Sequence, residues 1–166
     1  LVRHIKSRYP QLNRVRLRET VATDTYFSNV RAYGGATCAQ VFYGLLSHMI
    51  NVYGMRTESE MPEVYKDFIR HEGAPTYLRR DNAQAQKSKK VTAINRELLI
   101  GDQYTEPHHP QQNPAELQAV KFLKDHSQVI MDHTGADEKA WFDCCEYVAD
   151  VHNICANDLL NGRTPI

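Results

Sequence analysis

The sequence predicts an α/β fold, a central mixed five-stranded sheet flanked by helices, and three observations point to it. Runs of β-branched and aromatic residues end near Phe27 and recur at TCAQVFYG (37–44) and HMINVYG (48–54), joined by short connections. That spacing reads as an antiparallel meander. An amphipathic pattern from about Ser59 to Gly73 is followed by the strand-like APTYLRR (74–80). Strand, helix, strand in succession implies a right-handed crossover, so the last strand runs parallel to its partner.

The first strand is expected over residues 14–27 and carries Asp24, with Gly34 and Gly35 marking the turn that follows. In the first helix Val64, Tyr65, Phe68 and Ile69 share one face, and Gly73 is the stop signal. Val91, Ile94 and Leu98 mark a second helix ending near Gly101, and a short strand follows around Gln103–Thr105. A long helix is expected from Pro114 to Gly135. A last one spans roughly 137–157, with Trp141, Cys145, Val148 and Cys155 inward.

At 166 residues, 42% hydrophobic and 24% charged, the chain suits a single domain with room for a core. No apolar run approaches the roughly 18 residues of a membrane-spanning helix, so no membrane role is expected. The four cysteines show no paired spacing, which favours buried thiols in a reducing, intracellular compartment over disulfides or a zinc site. The expected division is a basic linker over 1–14, a core over 15–160 and the start of another linker over 161–166. A start without Met suggests a piece of a longer polyprotein.

Three carboxylates stand out. Asp24 interrupts a strand, where Asp is depleted. Asp81 follows APTYLRR at a strand end, where ligands of α/β sheets gather. Glu116 opens the long helix, and Val120, Leu123, Ser127 and Ile130 follow at helical spacing on its face. Taken alone, Asn113-Pro114-Ala115-Glu116 reads as a capping box, with Glu116 reaching back to the N-cap N–H. Two strand aspartates and a helix-start glutamate together suit hard divalent cations such as Mg²⁺. Two such ions about 3.5–4 Å apart serve phosphodiester chemistry.

TDTYF around Asp24, LRRDNAQ around Asp81, PHHPQQNPAE ending at Glu116 and the terminal NGRTPI carry a resemblance. In that order they resemble the catalytic core of a retroelement integrase, most similar to the copia-type retrotransposon group. The resemblance implies a ribonuclease H-like fold with Asp24, Asp81 and Glu116 as catalytic carboxylates holding two Mg²⁺ (or Mn²⁺) ions. It also implies integration of element DNA into target DNA by 3′-end processing and strand transfer. By resemblance, too, the chain would act in the nucleus as a homo-oligomer, cut from a cytoplasmic polyprotein. The chain departs from the copia pattern at Ala83-Gln84-Ala85-Gln86, where Gly-Gly-Glu-Phe is usual. Glu116 follows Asp81 by 35 positions, one short of the commonest family spacing.

Net charge is zero, yet the cations cluster. Arg3, Lys6, Arg8, Arg14, Arg16 and Arg18 stand without an acid among them, Arg79 and Arg80 precede Asp81, and Lys87, Lys89 and Lys90 follow it. Clustered cations can neutralise phosphates even when the total balances. By resemblance, His108, with Gln111, Gln112 and Asn113, lies in a loop that meets DNA ends, offering donors and acceptors to phosphates or bases. Two other functions use the same residues: a ribonuclease H-like nuclease or transposase, and a DNA-binding module derived from an integrase that no longer catalyses.

Overall fold

A computed structural model describes residues 7–81, 88–105 and 114–165, with the side chains of Glu116 and Leu117 outside that set. The strands are β1 (Thr20–Phe27), β2 (Cys38–Gly44), β3 (Ile50–Met55), β4 (Tyr77–Arg80) and β5 (Gly101–Tyr104). They form one sheet in the order β3-β2-β1-β4-β5. β1 pairs antiparallel with β2, and β2 with β3, while β4 is parallel to both β1 and β5. The expected mixed five-stranded sheet is thus present.

The helices are α1 (Met61–His71), α2 (Lys89–Leu98), α3 (Lys121–Thr134) and α4 (Trp141–Ile154). They cover both sheet faces. Strand alternation sends Val21, Phe42 and Leu78 into one core with Tyr65 and Phe68 of α1 and Val91 and Ile94 of α2. Ala22, Val41 and Ile50 enter the other, against Leu123 of α3 and Trp141, Cys145 and Val148 of α4. β2 is buried along its whole length because helices press on both of its faces. Phe42 and Phe68 stack with ring centroids 4.4 Å apart.

Helix ends follow local chemistry. Ser88 caps α2 by accepting the Val91 N–H. Gly135, at φ 66°, stops α3. After α1, Gly73 has φ 122°, and a Cβ there would meet the Val15 carbonyl oxygen at 2.9 Å. Only glycine lets the chain return so close to Val15, whose carbonyl accepts the Ala74 N–H.

Three expectations need correction. The first strand starts at Thr20, not near residue 14. Pro10–Asn13 forms a 3-10 turn, and Arg16 makes only an isolated bridge with Ala74. The long helix opens as a π turn over Ala115–Val120 before becoming α-helical at Lys121. Cys155 does not face inward. α4 ends at Ile154, Cys155 takes an extended backbone conformation, and its thiol is exposed.

Candidate active site

β1 and β4 pair in parallel through Thr20–Tyr77, Val21–Leu78 and Ala22–Arg79. Asp24, within β1, and Asp81, the residue after β4, each stand two positions beyond the last of these pairs, so the register, continued, sets the two side by side. Topology produces this, because the crossover through α1 returns the chain parallel to β1 and adjacent to it.

Asp24 sits on a strand fixed from the side. Gln40 of β2 is fully buried and donates to the Thr23 hydroxyl at 2.6 Å and to the Asp24 carbonyl at 3.1 Å. Its own amide oxygen accepts from the Thr25 hydroxyl at 3.0 Å. This amide holds the Asp24 carbonyl and the hydroxyls of the residues on either side of it, and the Asp24 Oδ1 accepts the Thr25 N–H at 2.8 Å. Two residues on, burial pushes the Tyr26 phenol up to about 12, with Cys145 adding to the shift, so the ring stays neutral there. The Lys124 ammonium lies 5.0 Å from the centre of that ring.

Asp81 is exposed at the tip of β4. Its Oδ1 accepts from the hydroxyl of buried Thr105 at 3.4 Å. Neither Gln40 nor Thr105 figures in the sequence reading as a site residue. Gln40 left a trace, as the only amide in the apolar CAQVFYG. Thr105 left none, since its position depends on the β4–β5 pairing.

The π turn lies over β1 and β2, and its Ala115 and Ala119 are fully buried beside Ala22, Ala39 and Val41. Small side chains on both surfaces allow this close approach. A π turn bonds residue i to i+5, widening the turn, and such turns are frequent at functional sites. The buried stripe accordingly runs Ala115, Ala119, Val120, Leu123 and Ser127, with Ile130 only half-buried. The backbone of Glu116 is carried in this turn, on the sheet face that bears Ala22 and hence Asp24.

The remaining expected site residues divide in two. His108, Gln111, Gln112, Asn113 and Lys87 lie outside the described residues, and with Asn113 so does the capping box. Lys89 and Lys90 are exposed in the first turn of α2. Among the described residues no group of three or more His, Cys, Asp or Glu side chains is gathered as a metal cage.

Arg16 and Arg80, counted in the basic clusters, have structural partners instead, as does Arg79, which donates to the Gln103 side chain. Arg16 donates to the Leu98 carbonyl at 2.6 Å and the Leu99 carbonyl at 3.1 Å, closing the C-terminus of α2. Arg80 is 1% exposed and pairs with Asp102 at 2.5 Å. A strand's alternation decides the second case: Arg80 points into the core of α1 and α2, where a neighbouring strand supplies the acid.

This is the fold of integrase catalytic cores, a ribonuclease H-like architecture. The HTLV-2 integrase catalytic core domain, in a trimeric form with magnesium, matches with a TM-score of 0.68 and 13% identity over 89% of this chain and 93% of that one. The BIV integrase catalytic core domain matches with a TM-score of 0.67 and 15% identity, covering 89% and 90%. No protein-family model and no curated protein matches the chain.

Proposed function

We propose that this chain is a divalent-metal-dependent polynucleotidyl transferase of the integrase type, of the copia-like retroelement group, acting on double-stranded DNA. What supports this reading is the parallel β1–β4 register, whose continuation by two residues sets Asp24 beside Asp81, with the turn carrying Glu116 packed on β1 and β2. The donors suit the ion: carboxylate oxygens are what Mg²⁺ and Mn²⁺ select. Asp24, Asp81 and Glu116 would hold two such ions, which supply Lewis acidity toward the attacking and leaving oxygens of a phosphodiester. The magnesium in the HTLV-2 structure supports that choice of ion, and its trimeric form supports self-association here.

The chain's own contribution is position. Gln40 fixes the backbone that carries Asp24, and Thr105 holds one oxygen of Asp81. Water attacks a phosphodiester near the DNA end and frees a 3′-hydroxyl. That hydroxyl then attacks a target phosphodiester in line and expels the 3′ oxygen of the target strand. No covalent protein–DNA bond forms. His108, Gln111, Gln112 and Asn113 would contact the DNA end, and Lys87, Lys89 and Lys90 its backbone. Work on chromosomal DNA would place the protein in the nucleus.

The deciding experiment is Mn²⁺-dependent joining on a branched DNA substrate that carries element end and target in one molecule. The wild-type chain is expected to reseal the target strand. A protein that binds DNA without joining or cleaving it would be a binding module, and the transferase reading would fall.

DNA affinity is expected to be steeply salt-dependent and largely independent of sequence. Replacing Lys87, Lys89 and Lys90 by Ala should lower the magnitude of the log K against log salt slope by about 0.9 for each phosphate no longer neutralised. An unchanged slope in a fluorescence-anisotropy titration would assign these lysines to a solvated face.

A further inference from the structure

We infer that Arg80 is a positioning residue for Asp81, acting by anchoring the tip of β4 to β5 rather than through its charge. The inference rests on the proposed metal site at Asp24 and Asp81. Pairing between β1 and β4 reaches only Ala22–Arg79, so the tip of β4 beyond it is held from the β5 side. The Thr105 N–H donates to the Arg80 carbonyl at 3.1 Å. The Arg80 Nη2 donates to Asp102 Oδ1 at 2.5 Å and approaches the Tyr104 hydroxyl at 3.3 Å and the Thr92 hydroxyl at 3.4 Å.

The anchor is itself anchored. Asp102 Oδ1 also accepts from the Asn95 amide at 2.8 Å, and the Asn95 Oδ1 accepts from the Tyr65 hydroxyl at 2.8 Å. One buried guanidinium thereby ties the end of β4 to β5 and α2, and by way of Asp102 and Asn95 to α1, at the residue directly before Asp81.

Stability alone accounts poorly for this arrangement. The Nε and Nη1 of Arg80 are buried and have no hydrogen-bond partner among the described residues. A buried cation that spends one nitrogen and strands two is a weaker stabiliser than a well-packed apolar residue of similar volume. Its charge does not explain it either. A cation beside metal-binding carboxylates repels a divalent ion, so removing it would tighten metal binding. An anchor has the opposite signature: cutting it frees Asp81 from the level of Asp24 and loosens metal binding. Partners hydrogen-bonded directly to a metal ligand typically change metal affinity by about 10–100-fold. Arg80 acts on Asp81 one step further out, through the backbone of β4, which sets its effect at the lower end of that range.

The test is a Mn²⁺ titration followed by thermal melting of the whole chain, comparing wild type, Arg80→Lys and the double variant Arg80→Met/Asp102→Asn. Lysine keeps the charge but ends one bond short of the Nη2 position that makes all three contacts; the double variant removes both charges and leaves no buried acid alone. Both are expected to need about tenfold more Mn²⁺ for the same rise in melting temperature. The metal-free melting of the double variant should stay close to that of wild type. If Arg80→Lys folds poorly, the double variant decides alone. Equal or tighter Mn²⁺ binding in the folded variants would make Arg80 a purely structural or electrostatic residue and overturn the inference, leaving the metal site standing. A wild-type chain with no Mn²⁺-linked shift would overturn the metal site and the inference together.

Discussion

Replacing Asp81 by Asn is expected to abolish Mn²⁺-dependent DNA joining, by at least about a hundredfold given what loss of even a supporting hydrogen bond does to a metal site. The fold should survive. Asp81 is exposed, and the Thr105 hydroxyl can donate to an amide oxygen as it does to the carboxylate. Exposed substitutions away from special features stay within roughly 0.5 kcal/mol. Without metal the variant should gain a little stability, because the β1–β4 register, continued by two residues, sets Asp81 beside Asp24 and like charges there repel. The loss comes from the missing negative charge that offsets the divalent cations. Glu116→Gln should behave alike, keeping the helix start while losing joining, because a cap accepts an amide oxygen and a metal site needs the charge. Melting curves with and without Mn²⁺, together with one joining assay, separate these outcomes. If either variant joins DNA as well as the parent, that residue is not a ligand.

The single substitution Arg80→Met is expected to have the largest effect on stability. It leaves Asp102, which is 19% exposed, as a carboxylate without its cation. Breaking a buried pair in this way costs about 3–5 kcal/mol, a large part of the roughly 5–15 kcal/mol that holds a typical domain together. For a chain of this length each kcal/mol moves the melting temperature by about 2–4 °C, so a drop of roughly 6–20 °C should appear. Adding Asp102→Asn should recover most of it, because the amide oxygen still accepts from Asn95 and no charge remains buried. Urea denaturation of the two single variants and the double would give the coupling directly. A single variant within about 1 kcal/mol of wild type would show that Asp102 reaches water once Arg80 is gone.

Much of the architecture was legible because it is written in local periods. The alternation in TVATDTYF and CAQVFYG, the apolar face of 64, 65, 68 and 69, and the stops at Gly73 and Gly135 each require only neighbouring residues. The parallel return of β4 followed from the handedness of a strand–helix–strand unit, and Asp81 fell close to β1 for that reason. Asp24 was conspicuous since an acid inside a strand lacks a local explanation.

What the sequence could not decide is whatever depends on which strand lies beside which residue. Arg79 and Arg80 look alike in the chain. Yet Arg80 turns into the core to meet Asp102, while Arg79 donates to the Gln103 side chain. Arg16 looked like one cation in a basic run until the fold brought the end of α2 within its reach. Cys155 fitted the helical period of α4, and only the backbone's turn to an extended conformation placed it outside. The π turn over Ala115–Val120 was equally hidden, because it is set by the fit of small residues against β1 and β2 rather than by the turn's own composition. By itself, then, the sequence determined the five strands, the helices between and after them, and the aspartates at strand positions. The tertiary structure alone decided which cations are buried, which side chains brace Asp24 and Asp81, and how the segment bearing Glu116 is wound. The physical reason is that periodicity and capping act between near neighbours, whereas burial and pairing are settled by residues far away in the chain.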